Sequence, residues 1–140
     1  MVIDSLLLDK LTAQAKESPR LRMNLDLRNS DADSSQRMLN AIEPGSVVPI
    51  HRHRKTSETV VVLRGRVVEE YYDDARELVE SFELGDCHVA DAPRNDVSGG
   101  CALNIPAGQW HMLRALESGT VILEMKDGAY EPIQECDILK

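Results

Sequence analysis

The sequence predicts an all-β domain, a sandwich or a closed barrel, with one short helix at its N-terminus. Segments with β signals recur at short, regular spacing, and tight breaks separate them. The breaks fall at Arg64-Gly65, Asp73-Asp74, Gly85-Asp86, Ala107-Gly108 and Ser118-Gly119. A chain of 140 residues suits one domain spanning 1–140, and a domain of that size buries about two-thirds of the surface its unfolded chain exposes. Aromatic residues make up only 4% of the chain, so Val, Leu, Ile and Ala must build the core.

Residues 4–17, DSLLLDKLTAQAKE, place Leu7, Leu8, Leu11 and Ala15 at helical spacing. Asp4 or Ser5 can cap the start, and Ser18-Pro19 stops the helix. In residues 20–28, Leu21, Met23, Leu25 and Leu27 alternate with polar residues, which predicts a half-buried strand. A polar turn-rich loop follows at 29–35, then a strand at 36–43 that ends at Pro44-Gly45. Further strands are expected at 47–53, 58–64, 66–72, 77–84, 101–105, 110–116 and 120–126. The segment 90–100, ADAPRNDVSGG, is the longest loop, either a flap beside a site or a spacer. The domain thus divides into helix and first strands (1–44), a barrel (45–126) and an irregular tail covering an edge (127–140).

The formal net charge of −8 argues against nucleic acid or an anionic membrane as partner. A basic knot, Arg52-His53-Arg54-Lys55, is the exception, either a solvated loop or a mouth for an anionic guest. The N-terminus lacks the pattern of a signal peptide and no apolar run can span a membrane, so a cytoplasmic protein is expected. Cys87, Cys101 and Cys136 are odd in number and share no CxxC spacing, which reads as reduced structural thiols.

The chemistry concentrates in GSVVPIHRHRKTSETVVVLRG, residues 45–65, and GCALNIPAGQWH, residues 100–111. On an extended segment, His51 and His53 point to one face and can reach one metal ion together. Glu58 from the next strand and His111 from a distant hairpin converge with them inside a closed barrel. Imidazole and carboxylate are the ligands of Zn, Fe, Mn or Ni, and one divalent ion per chain is expected. Gln109 shares the face of His111 and can serve a metal-bound water or simply start a strand. Trp110 faces away, into the core, and His88 reads as a surface or loop residue. Glu58, Val60 and Val62 share a face, which predicts a pocket that is apolar below its metal.

Gly45-(five residues)-His51-Arg52-His53-(four residues)-Glu58-(six residues)-Gly65 resembles the first cupin motif. Gly100-(five residues)-Pro106-Ala107-Gly108-Gln109-Trp110-His111 is similar to the second, departing from it at Ala115, where the family pattern has Asn. The N-terminal helix, PRLRMN, the segment from Gln36 to Ser46 and the run from Leu123 to Pro132 further resemble the WbuC-type cupin metalloproteins. That resemblance implies a single cupin domain (a double-stranded β-helix, or jelly-roll barrel) and a bacterial surface-polysaccharide context. It also makes Arg22, Asn24, Arg37, Lys126 and Tyr130 candidates for an anion-recognising wall.

The functional expectation is a metal-dependent protein that binds or acts on a small polar or anionic ligand, a sugar or sugar nucleotide. The enzyme would be an isomerase, an epimerase or an iron-dependent dioxygenase, and the alternative is a non-catalytic binding module. No general acid or base is identifiable, so the catalytic residues are unknown. Barrels of this kind commonly dimerise through an edge strand, and by analogy a homodimer is expected here.

Overall fold

The structure, a computed structural model, describes residues 1–86 and 100–140. His88, Cys87 and most of the loop expected at 90–100 lie outside the described residues. The helix α1 (Ser5–Glu17) starts where Asp4 accepts a hydrogen bond from the Leu7 N–H at 3.0 Å. This satisfies one of the amide donors that a helix start leaves open. It ends at Ser18, just before Pro19, which disfavours helical backbone in the residue preceding it.

Among the described residues eight strands follow: β1 (Arg22–Asp26), β2 (Ser35–Ile42), β3 (Glu58–Arg64), β4 (Arg66–Tyr72), β5 (Leu78–Gly85), β6 (Ala102–Ile105), β7 (Trp110–Ala115) and β8 (Thr120–Asp127). They form two antiparallel sheets in the orders β1-β2-β8-β3-β6 and β5-β4-β7, the jelly-roll architecture expected. The expected strands match within two residues at each end, with one exception. Residues 47–53 make no regular strand; only His51 is held in isolated bridges, to His111 and to Ile138. Pro49 lacks the amide hydrogen a ladder needs, which explains the interruption.

Two apolar clusters hold the sheets in place. The inner one, between the sheets, joins Val60 and Val62 of β3, Val67 of β4, Leu113 of β7 and Ile122 of β8. The outer one covers the five-stranded sheet, where Leu8, Leu11 and Ala15 of α1 meet Leu39, Ala41 and Val121. Each fully buried aliphatic side chain contributes about 1.5–3 kcal/mol. Gly65, between β3 and β4, has φ +84°, and a Cβ there would lie 2.9 Å from the Thr120 Cα. Only glycine takes that backbone without strain or collision.

The cysteines depart from expectation. Cys101 is disulfide-bonded, whereas Cys136 is free and exposed. An odd count without characteristic spacing carries no signal of such a bond.

Candidate metal centre

The strand registers build the barrel interior in layers. The pairs Val62↔Ile122 and Val67↔Ala115 lie at the closed end, Val60↔Glu124 and Glu69↔Leu113 in the middle, and Glu58↔Lys126 and Tyr71↔His111 at the open end. The segment before β3 joins the open end through reciprocal backbone bonds. The His51 N–H donates to the His111 carbonyl at 3.0 Å, and the His111 N–H donates to the His51 carbonyl at 2.8 Å. The turn that follows Pro106 adds a third clamp. There Gly108, at φ +83°, donates its N–H to the His53 carbonyl at 2.7 Å. Two segments far apart in sequence are thus locked in register by their own backbones.

His51, His53 and His111 each present a ring nitrogen, and these three atoms lie within 4.8 Å of one another. The donor set fits a divalent transition metal. His51 Nδ1 donates to the Pro49 carbonyl and His111 Nδ1 to the Gln109 carbonyl, both at 2.9 Å. Those bonds assign the Nδ1–H tautomer and leave each Nε2 lone pair free. The Nε2 of His111 is buried with no hydrogen-bond partner among the described residues, an orphaned acceptor that a cation would satisfy. Burial, reinforced by His111, lowers the His51 pKa to about 4, and burial also lowers that of His111, so both rings are neutral ligands.

His53 differs. Lys126 Nζ lies 3.2 Å from its Nδ1, and its Nε2 lies 2.8 Å from Glu58 Oε2. With lysine donating to Nδ1, the Nε2–H donates to Glu58, so a cation there would take the place of that proton. Burial works to raise the Glu58 pKa, but the His53 hydrogen bond and the nearby imidazoles hold it below the usual value. The Glu58 carboxylate therefore stands ionised beside the three rings, on His53.

Below and around these groups lies a cavity of about 310 Å³. Of the wall residues anticipated from sequence, Arg22, Asn24, Lys126 and Tyr130 line it. Arg37 does not; it bonds Asp33 at 2.9 Å. Gln109 does not either, since its amide donates to the carbonyls of Tyr72 at 3.1 Å and Trp110 at 2.9 Å. Trp110 is buried as expected, with its indole N–H on Asp74. His53 of the basic knot lines the cavity, but the knot's two arginines do not. Arg52 stacks over Trp110 at 4.1 Å and pairs with Asp137, and Arg54 pairs with the same carboxylate. The cations that line the cavity are Arg20, Arg22 and Lys126.

Two residues were missed altogether. Glu69 and Glu124 line the cavity from opposite sheets, so its wall below the histidines is not simply apolar. Burial, then Glu58 and Glu124, push the Glu69 pKa well up, and burial with Glu58 pushes Glu124 to about 8. The signal was available: Glu69 falls between inward Val67 and Tyr71, and Glu124 between inward Ile122 and Lys126.

Comparisons with known proteins agree with this architecture. A family model described as a domain of unknown function (DUF6016) matches residues 3–84. No curated protein matches the sequence. Among solved structures, the TT1209 protein from Thermus thermophilus is 21% identical with TM-score 0.59, covering 91% of this chain and 98% of that one. KdgF from a Halomonas species is 15% identical with TM-score 0.58, covering 81% and 84%. Oxalate oxidase in complex with glycolate is 13% identical with TM-score 0.62 over 85% of this chain, which spans just over half (57%) of that longer protein. Such neighbours are cupin-fold proteins, and the fold of this chain is a cupin fold.

Proposed function

The chain belongs to the DUF6016 family, and from the site it carries we propose that it is a metal-binding cupin acting on, or binding, a small polar or anionic ligand. His51, His53 and His111 hold one divalent ion with Glu58 as fourth donor. The observation that carries this is the buried, unpartnered Nε2 of His111, set within 4.8 Å of ligand atoms from two other imidazoles. A buried acceptor without a partner costs about 1–3 kcal/mol, and a cation would turn that cost into binding energy.

A bound transition metal supplies Lewis acidity, suited to isomerisation, epimerisation or dioxygen chemistry on a guest. Arg20, Arg22 and Lys126 give that guest a cationic side in a chain whose net charge is −8. A non-catalytic role in ligand storage or sensing uses the same groups. The WbuC-type assignment, a surface-polysaccharide context, a cytoplasmic location and a homodimer through the outer edge of β1 belong to the same reading.

Elemental analysis of purified protein tests the centre. One Zn, Fe, Mn or Ni per chain is expected, and His51→Ala or His111→Ala should lose it. Full metal retention by either variant would sink the assignment. Dioxygen uptake by the iron form separates an oxygenase from an isomerase, and light scattering measures the dimer.

A further inference from the structure

Burying a carboxyl group without a partner is costly, and such groups persist where a ligand uses them. Glu69 is 1% exposed, and its Oε1 has no hydrogen-bond partner among the described residues. It stands on β4, beside Leu113 and one inward layer below His111. Glu124 faces the cavity from the other sheet, on β8, with Asn40 donating to its Oε2 at 2.7 Å. Gln36 adds a third buried polar end, since its Oε1 is also unpartnered and the residue lines the same space. None of these groups is needed to hold a metal, because the three imidazoles and Glu58 already form a donor set above them.

The cavity is also cationic, on the five-stranded sheet that bears Glu124: Arg22 stands on β1, and Lys126 lies two residues beyond Glu124 on β8. Arg20, Arg22 and Lys126 line it, and none of the three takes part in an ion pair among the described residues. Among the described residues the Arg22 guanidinium donates to the Val47 carbonyl alone, at 3.1 Å. A ligand for this space carries an anionic group for the cations and several hydroxyls for the carboxyl and amide ends. The volume of about 310 Å³ sits at the small end of the ~300–1,000 Å³ range of ligand pockets. It suits a guest of monosaccharide size better than a sugar nucleotide.

We propose that Glu69 and Glu124 form a hydroxyl-binding floor beneath the histidines, and that the ligand is a polyhydroxylated carboxylate whose carboxylate faces Arg22 and Lys126. This rests on the reading of the site as a metal-dependent ligand pocket and names the class of guest. The two carboxyl groups bracket the guest from opposite sheets. Their protonated forms admit an anion that ionised glutamates would repel, and they both donate to and accept from hydroxyl oxygens.

The test compares D-gluconate and D-galactonate with hexanoate, a carboxylate of equal chain length without hydroxyls. Binding is measured by calorimetry on the full chain, as zinc-loaded and as metal-free protein, with metal content recorded for each sample. At least one hydroxy acid should bind ten-fold or more tightly than hexanoate. Glu69→Leu and Glu124→Leu should each remove most of that preference while zinc content stays at the wild-type level. Glu69→Gln and Glu124→Gln preserve shape and hydrogen-bonding capacity; they should retain part of the preference and serve if a leucine variant does not fold. Hydroxy acids that bind no better than hexanoate, including no binding at all, overturn the proposal. So does a preference that survives both leucine changes, or zinc lost from the glutamate variants. Wild-type protein that fails to hold zinc overturns the metal reading instead, and the metal-free series then reports on the floor alone.

Discussion

The two ends of the barrel are built from the same strands and the same inward-facing positions, yet they obey opposite rules. At the closed end β3, β4, β7 and β8 contribute Val62, Val67, Ala115 and Ile122, each at most 6% exposed. Two to four residues further along the same faces they contribute Glu58, Glu69, His111, Glu124 and Lys126. The closed end gains stability from burying apolar surface. The open end gives some of it back by burying charge and unpartnered polar atoms, the usual mark of a site shaped for a ligand. Substitutions at the two ends should therefore move stability and binding in different directions.

The largest effect is expected at the closed end. Ile122→Ala opens a cavity in a fully buried position and should cost about 3 kcal/mol in denaturant unfolding. Metal content per folded chain should not change. Metal loss from the folded variant would mean that the two ends are coupled and would break the comparison. Gly65→Ala follows, at about 2 kcal/mol, because the new Cβ meets the Thr120 backbone while the chain holds a left-handed φ.

The open end should show the reverse sign. Glu124 has a folded pKa raised from 4.5 to about 8, chiefly by burial. The folded state therefore holds a proton that the unfolded state releases between those values. The stability tied to that proton is fully present below 4.5 and is lost as pH rises through about 8. The slope has a ceiling of ~1.4 kcal/mol per pH unit for one proton. Glu124→Gln should flatten that part of the stability-pH curve of metal-free protein and make the variant more stable than wild type at pH 8. An unchanged slope would show that Glu124 is not the buried proton carrier.

This contrast also marks what the sequence could and could not reveal. Short β segments bounded by tight breaks placed β1 to β8 within two residues, although burial alternates clearly in β3 and not in β4, β5 or β8. The spacing of His51, His53 and His111 drew attention to two segments whose imidazoles the fold brings together. The polar floor escaped because the pocket was judged from Val60 and Val62 on β3 alone. It becomes visible only when β4 and β8, on opposite sheets, are laid across the same space. The role of the basic knot was hidden for a different reason. Arg52 and Arg54 meet Asp137 more than 80 positions away, and no local pattern announces a contact of that range. Its charge suggested a solvated loop or a mouth, whereas the partners of its arginines make them a fastening.

That fastening, at the open end alone, supports the smallest prediction. The tail pairs with the segment that carries the first two histidines: the Arg52 N–H donates to the Asp137 carbonyl at 3.1 Å and the Leu139 N–H to the Ile50 carbonyl at 2.8 Å. Asp137 side-chain bonds to Arg54 and Arg52 reinforce the pairing and hold its pKa below the usual carboxylate value. A depressed pKa contributes stability above the ordinary carboxylate pKa and loses it as pH falls through the folded value. Asp137→Asn should thus leave the thermal midpoint nearly unchanged at neutral pH. Hydrogen exchange at Arg52 and Leu139 should accelerate several-fold, and metal affinity should fall modestly because His51 and His53 lose part of their support. Wild-type protection factors at those amides should fall in the same way on acidification, with those of the variant insensitive over that range. Equal protection in both proteins would mean that the backbone pairing alone holds the metal-bearing segment, leaving the arginines as surface charge.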